Sequence, residues 1–123
     1  MKRSLFTVLV FSASLLAATA HAEPAPRMVG GLLVNTSGMT LYTFDMDAAG
    51  AGTSKCNGPC AAAWPPVTAP ADAKPVGDLS IVTRDDGTKQ WAHKGKPVYT
   101  FASDKKPGDA TGDNVKNVWH VIK

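Results

Sequence analysis

The chain has 123 residues, of which 13 are lysine or arginine and 10 are aspartate or glutamate, for a formal net charge of +3. A chain of this length favours one domain with one modest hydrophobic core. The charge is small, and it is smaller still once the basic residues of the N-terminal segment are removed. This argues against a nucleic-acid surface built on bulk charge.

The N-terminus has the three zones of a secretory signal peptide. Residues 2–3 are basic and residues 5–18 are uncharged and largely apolar. Ala20 and Ala22 put small residues at the −3 and −1 positions for cleavage after Ala22. The apolar stretch is short for a membrane anchor. No cysteine precedes Cys56, so a lipid anchor at the cleavage site is not expected. We therefore predict a soluble protein that is periplasmic or secreted, without membrane insertion after cleavage.

The first half of the mature chain alternates short apolar runs with polar, glycine-rich segments. Two of these runs flank Asn35-Thr36-Ser37-Gly38, which is typical of a hairpin turn. Pro59 can start a helix and Pro65 can end it, which predicts a helical turn near Cys60. In order, we predict a flexible lead-in at residues 23–28, strands at 29–34 and 39–44, a loop at 45–58 and the helical turn at 59–64.

The second half is predicted to consist of strands and turns. Asp85-Asp86-Gly87 and the segment 93–96 are turn sequences between runs of β-forming residues. In order, we predict an irregular connector at residues 67–78 and strands at 79–84, 88–92, 97–101 and 117–122. The predicted fold is a mostly β single domain over residues 29–123, following a cleaved signal at 1–22. It has about six short antiparallel strands, in two hairpin-plus-loop repeats, and one short helical turn near Cys60.

Two segments repeat one motif at an offset of 57 residues: residues 38–47 align with residues 95–104. The matched side chains, together with the tryptophan that follows each copy, are Tyr42 and Tyr99, Phe44 and Phe101, Asp47 and Asp104, and Trp64 and Trp119. In a strand, the tyrosine and phenylalanine of each copy point to one face, where they can pack against the tryptophans. Two interpretations stay open. The motif is either a core-and-turn signature, or these eight residues line a ligand site between the halves.

The motif copies at residues 42–47 and 99–104 resemble the Tyr-x-(Phe/Trp/Tyr)-x-x-Asp motif of the bacterial predicted secreted repeat lipoproteins. The run at 56–66 and the hairpin that leads to Gln90-Trp91 are similar to members of that family as well. The resemblance covers about residues 30–122 and implies export. It implies no activity, because the family is largely uncharacterised. Many members carry a lipobox cysteine that this chain lacks, so a membrane tether is not carried over.

Cys56 and Cys60 are the most reactive pair of side chains in the sequence. In an exported protein, two cysteines at this spacing most often form a disulfide. The alternative is a metal site, because some copper-delivery proteins share the C-x-x-x-C spacing and thiolates favour Cu(I). His93 and His120 are weak candidates for further ligands, and Met28, Met39 or Met46 could also complete such a site. Copper or haem would then be the cargo.

No motif in the sequence predicts catalysis. The sequence contains no Gly-x-Ser-x-Gly elbow, no His-Glu-x-x-His zinc motif and no phosphate-binding glycine loop. We therefore expect no enzyme activity, no catalytic residues and no cofactor. The leading hypothesis is an exported, non-enzymatic module of the periplasm or cell envelope that binds an unknown envelope protein or small ligand, and not nucleic acid. The alternative is a periplasmic metal-handling protein.

Overall fold

The structure is a computed structural model, and it describes residues 22–123. The signal peptide predicted at 1–22 lies outside the described residues, apart from Ala22. Within the described part, no helix has the length and apolar character needed to cross a membrane. In chain order, the elements of this part are β1 (Arg27–Val29), β2 (Leu32–Val34), β3 (Tyr42–Phe44), α1 (Pro59–Ala63), β4 (Leu79–Thr83), β5 (Lys89–His93), β6 (Lys96–Pro97), a 3₁₀-helix (Val115–Asn117) and β7 (Trp119–Val121).

The strands form three small antiparallel sheets, which pair β1 with β2, β3 with β7, and the central strand β5 with both β4 and β6. The prediction of a mostly β fold with two repeats and a short helix near Cys60 is confirmed. In the second sheet, Tyr42 lies opposite Val121 and Phe44 lies opposite Trp119. The first repeat is therefore tied directly to the end of the second.

The predicted strand at 29–34 is wrong, because two strands share this segment. Gly30 and Gly31 have φ angles of 57° and 82°, which make a two-residue hairpin turn between β1 and β2. The predicted lead-in at 23–28 therefore overlaps β1. Glu23 is held as well: its N–H donates to the Thr68 carbonyl over 2.8 Å, and its own carbonyl accepts the Trp91 Nε1–H over 2.8 Å.

In the second repeat, two predicted strands are shorter than expected. The segment 97–101 is regular only at β6 and continues as single bridges from Tyr99 to Tyr42 and to Pro66. The segment 117–122 becomes a strand only at Trp119, because the 3₁₀-helix occupies the residues before it. Pro97 has no N–H to donate to a ladder, which limits pairing at this point.

Corresponding hydrogen bonds recur in the two repeats. At the centre, the Tyr42 N–H donates to the Tyr99 carbonyl over 2.8 Å, and the Tyr99 N–H donates back to the Tyr42 carbonyl over 3.0 Å. In the first repeat the Leu41 N–H donates to the Leu33 carbonyl, as the Val98 N–H does to the Trp91 carbonyl in the second. In the same way, the Asp45 N–H donates to the Val118 carbonyl, and the Ala102 N–H donates to the Ala63 carbonyl. The two halves therefore face each other around the tyrosine pair in an approximately twofold arrangement.

The hydrophobic core has two parts, which the strand alternation separates. Leu41 and Val98 point to one side, into a cluster with Leu33, Trp91 and other aliphatic residues. The tyrosines that follow them in the sequence point to the other side. Their cluster consists of Tyr42, Tyr99, Trp64, Trp119 and Cys56. This aromatic side of the core contains most of the residues singled out by the repeated motif.

Candidate functional site

Four rings of the aromatic core form one continuous stack. Phe44 stacks on Trp119 at 4.3 Å between ring centroids and 11° between planes, and Trp119 stacks on Trp64 at 3.8 Å and 4°. Trp64 in turn lies against Phe101 at 4.0 Å and 32°. Two rings at such distances cannot share one face of a third ring, so the order is Phe44, Trp119, Trp64, Phe101. We call this stack the aromatic ladder.

The two tyrosine rings stand nearly perpendicular to the tryptophan rings of the aromatic ladder. Tyr42 contacts Trp64 at 5.3 Å and 78°, and Tyr99 contacts Trp119 at 5.2 Å and 89°. Edge-to-face contacts of this kind are favourable because the positive edge of one ring meets the negative face of another. The sequence prediction that the motif rings pack against the tryptophans is therefore confirmed for all four motif rings.

Each tyrosine hydroxyl is bonded to the aspartate of the other repeat. The Tyr42 hydroxyl donates to Asp104 Oδ2 over 2.6 Å, and the Tyr99 hydroxyl donates to Asp47 Oδ2 over 2.5 Å. All four side chains are buried, with at most 6% of any one exposed. These two bonds, which we call the tyrosine–aspartate cross-links, join the halves reciprocally.

The second oxygen of each buried carboxylate is bonded by its own loop. Asp47 Oδ1 accepts the Lys55 N–H over 2.7 Å, and Asp104 Oδ1 accepts the N–H and hydroxyl of Thr111 over 2.9 and 2.5 Å. A buried charge needs such hydrogen bonds to offset its lost hydration. Burial, and then the bond to the aspartate, raises the pKa of Tyr42 and of Tyr99, so both hydroxyls stay protonated donors.

The prediction that Cys56 and Cys60 form a disulfide is confirmed, with 5.2 Å between their Cα atoms. While that bond is intact, neither sulfur is a thiolate for a metal. His93 closes β5, and burial lowers its pKa. His120 lies elsewhere, with Nε2 2.9 Å from Asp45 Oδ2. Among residues 22–123, no group of three or more histidine, cysteine or acidic side chains is arranged to hold a metal ion. Metal handling stays a prediction.

A cavity of about 480 Å³ runs beside the aromatic ladder. Three successive ladder rings line it, namely those of Phe44, Trp119 and Trp64. The other walls come from α1, through Ala63 and Cys60, and from two residues at the rim, Met46 and Lys116. We call this cavity the ladder groove. Its ring residues are among the sequence candidates.

The sequence reasoning missed the rim of the ladder groove. Met46 lies inside the first motif copy, and 58% of it is exposed. Lys116 reaches the rim from the 3₁₀-helix, where it has a φ of 51°. A local backbone conformation of this kind has no clear sequence signal for a lysine. The position of Met46 beside the motif was the signal that could have been used.

A second cavity, of about 540 Å³, lies between the β4–β5 turn and the disulfide loop. Its buried cation, Arg84, was not singled out from the sequence. Arg84 donates to Gln90 Oε1 over 2.8 Å, to the Cys56 carbonyl over 2.5 Å and to Asn57 Oδ1 over 3.1 Å. These bonds use the guanidinium to tie the second repeat to the disulfide loop, which is a structural role.

Comparison with known families matches both halves of the chain. Residues 25–68 and residues 80–123 each match the model of a family described as a secreted repeat of unknown function. The two matched segments contain the two motif copies and the two ladder tryptophans. No curated protein and no solved structure matches the chain.

Proposed function

The chain belongs to this family of secreted repeats of unknown function, and from that membership we propose that it is an exported, non-enzymatic binding module of the periplasm or cell envelope. In this proposal the signal is cleaved after Ala22, and the mature domain holds an apolar ligand in the ladder groove. The observation that carries the proposal is the groove itself. Its volume of about 480 Å³ lies in the range of small-ligand pockets, and aromatic rings form one wall.

The tyrosine–aspartate cross-links support the choice of the groove over the repeated motif as the binding site. Tyr42, Tyr99, Asp47 and Asp104 are buried, and their polar atoms are bonded to one another and to the adjoining loops. A ligand that used these atoms would have to break bonds between the halves. Phe44, Trp64 and Trp119 reach the groove without such a change.

The composition of the groove supports binding over catalysis. Its lining among the described residues contains no histidine, serine or carboxylate, and the sulfur of Cys60 is in a disulfide. Nucleophilic or acid–base catalysis needs a nucleophile and a base within hydrogen-bond reach. Lys116 is the single titratable side chain in that lining, so the groove is built for contact with apolar surface.

The experiment uses two adjacent positions of α1. Ala62 and Ala63 are both exposed, but only Ala63 lines the ladder groove. The probe is 2-naphthamide, a neutral bicyclic compound, and its dissociation constant is measured by calorimetry and tryptophan fluorescence. We expect Ala63→Glu to weaken binding by at least about tenfold. The matched control Ala62→Glu should bind as the unmodified protein does.

Two results would contradict this proposed function. One is that the unmodified protein shows no saturable binding of 2-naphthamide. The other is that Ala62→Glu and Ala63→Glu weaken binding equally, which would place the probe elsewhere. Circular dichroism and the urea midpoint of each variant show whether it is folded, so a loss of binding is assigned to the groove only when these match the unmodified protein.

A further inference from the structure

We propose that the ladder groove selects a planar aromatic carboxylate, whose charged group is held by the Lys116 ammonium and by an indole N–H of the aromatic ladder. This inference rests on the proposed function, since it names the class of ligand that the groove takes. Three independent features carry it. They are unpartnered indole donors, the way in which the rings face the groove, and the placement of Lys116.

The first feature is the state of the indole N–H groups of Trp64 and Trp119. These residues are only 5% and 3% exposed, and neither N–H has a hydrogen-bond partner among residues 22–123. In that part of the chain, Thr40 Oγ1 is the one solvent-inaccessible side-chain polar atom without a hydrogen-bond partner. Both indole N–H groups therefore reach solvent from side chains that are otherwise buried. The hydrogen bond from an N–H in such a position is strongest when the acceptor also excludes water, and a carboxylate is the strongest such acceptor.

The second feature is that the groove meets ring edges. Both faces of Trp119 are covered, one by Phe44 and the other by Trp64. The faces of Trp64 are covered in the same way, by Trp119 and Phe101. A ligand in the groove therefore contacts the edges of these indoles. Ring edges carry positive charge, so they favour the face of a flat, electron-rich ring and disfavour a cation.

The third feature is the strained backbone at Lys116. Three of the four residues 114–117 have positive φ, and none is glycine. Asparagine, which stands at positions 114 and 117, adopts the left-handed conformation readily, but for Lys116 that conformation costs about 1–2 kcal/mol. Elsewhere the described chain places glycine at ten positive-φ positions. Lys94 also has positive φ, but it lies in the two-residue turn between β5 and β6, which requires that conformation. Lys116 lies in no such hairpin.

The charge around the groove agrees with this assignment. Lys116 lines the groove and forms no ion pair among residues 22–123, where the ion pair found joins His120 and Asp45. The groove lining includes no carboxylate. The nearby Asp45, between the lining residues Phe44 and Met46, has its carboxylate 2.9 Å from His120 Nε2, so the ammonium of Lys116 is left as the charged group available to an anionic ligand in the groove lining.

The test compares two probes of the same shape. 2-Naphthoate is the carboxylate, and 2-naphthamide is its neutral counterpart. We expect the unmodified protein to bind the carboxylate about tenfold more tightly, and Lys116→Gln to bind the two probes with about equal affinity. Lys106→Gln is the control, because Lys106 is exposed and does not line the groove. The preference should also weaken as salt is raised.

The indole donors give a second readout. The chain has three tryptophans, so its proton–nitrogen spectrum contains three indole signals. Naphthoate should shift the signal of Trp64 or of Trp119 downfield, as expected for a new hydrogen bond. The Trp91 signal is the internal control, since its N–H is already bonded to the Glu23 carbonyl.

The outcomes separate this inference from the proposed function. If both probes bind equally, if Lys116→Gln keeps the preference for naphthoate, or if naphthoate shifts no ladder indole signal, the carboxylate assignment is overturned. The groove remains a binding site in that case, provided that Ala63→Glu still weakens amide binding. If Ala63→Glu leaves the binding of both probes intact, the proposed function fails as well.

Discussion

Tyr42 and Tyr99 each combine two kinds of contact. Their rings pack nearly perpendicular to the ladder tryptophans, and their hydroxyls donate to the buried aspartates of the opposite repeat. Phenylalanine would keep the packing but leave a buried carboxylate short of one donor. A hydrogen bond to a charged group contributes about 1.5–3 kcal/mol. The motif residues therefore hold the two repeats together through two equivalent tyrosine–aspartate hydrogen bonds.

The reciprocal pairing makes a specific prediction for double-mutant cycles. Tyr→Phe and Asp→Asn substitutions should couple across the repeats, for Tyr42 with Asp104 and for Tyr99 with Asp47, by about 1 kcal/mol or more. Within a repeat, Tyr42 with Asp47 should couple by less than about 0.5 kcal/mol, because these side chains are not bonded to each other. Urea unfolding measures all of these free energies. Stronger coupling within a repeat than across would contradict the cross-links.

The buried hydroxyls also predict a loss of stability at alkaline pH. The folded protein raises the pKa of Tyr42 and Tyr99 above the ordinary value near 10, chiefly by burial. Above that pH the unfolded chain releases phenolic protons that the folded protein keeps, so the stabilisation present below pH 10 is lost as pH rises. The loss is about 1.4 kcal/mol per pH unit for each tyrosine.

The measurement is the urea midpoint as a function of pH for the unmodified protein and for a variant that carries Tyr42→Phe and Tyr99→Phe. Lysines titrate in both proteins, so the difference between the two curves isolates the tyrosines. The variant should be less stable at neutral pH and have the shallower decline above about pH 10. Parallel curves would show that the hydroxyls titrate alike in the folded and unfolded states.

At the scale of elements, the loops that follow Asp47 and Asp104 both hydrogen-bond a buried carboxylate, but only the first is followed by a disulfide. Each loop surrounds a buried carboxylate. In the first repeat the Lys55 N–H donates to Asp47, and in the second repeat the Thr111 N–H donates to Asp104. In the first repeat the Cys56–Cys60 disulfide follows directly, whereas the second loop has no cysteine. The second loop is therefore a natural control for what the disulfide adds.

Reduction of the disulfide should loosen the first loop selectively. On the chain-entropy estimate, a closed loop this short contributes about 2 kcal/mol. We expect the Lys55 amide to exchange its hydrogen faster by about tenfold or more in the reduced protein, because local opening becomes easier. The Thr111 amide should exchange at an unchanged rate. Nuclear magnetic resonance under native conditions measures both amides, and equal acceleration at the two would show that the bond acts on the whole fold.

At the scale of the whole molecule, the repeat was the part of the architecture that the sequence could show. Its signal is local, since glycine, tyrosine, phenylalanine and aspartate recur at one offset within ten residues. The pairing of Tyr42 with Asp104 could not be predicted in this way. Asp47 has the same chemistry and lies closer in sequence, and only the packing of the halves decides between them.

Two other features differ in how predictable they were. The turn at Gly30-Gly31 carried a strong hairpin signal in its glycine pair, and the segment was nevertheless assigned to one strand. The ladder groove had no comparable signal. Lys116 reaches it only because the backbone adopts a positive φ, and the order of the stacked rings depends on contacts between residues far apart in the chain.

Because many contacts join the two repeats, we predict that they stay associated after the chain is cleaved between them. The tyrosine–aspartate cross-links, the Trp64–Trp119 stack and the pairing of β3 with β7 all join the two repeats. The connector that also joins them is exposed at Lys74 and Pro75. A protease site inserted between these two residues lets the chain be cleaved after it has folded.

We expect the two fragments of the cleaved protein to co-elute and to keep the circular dichroism spectrum of the uncut insertion variant, which is the control. Because the halves are then separate chains, the urea midpoint of the cleaved protein should rise with protein concentration, whereas that of the uncut variant should not. Two results would mean that the repeats hold together mainly through the connector. One is that the fragments separate under native conditions, and the other is that the urea midpoint of the cleaved protein does not depend on protein concentration.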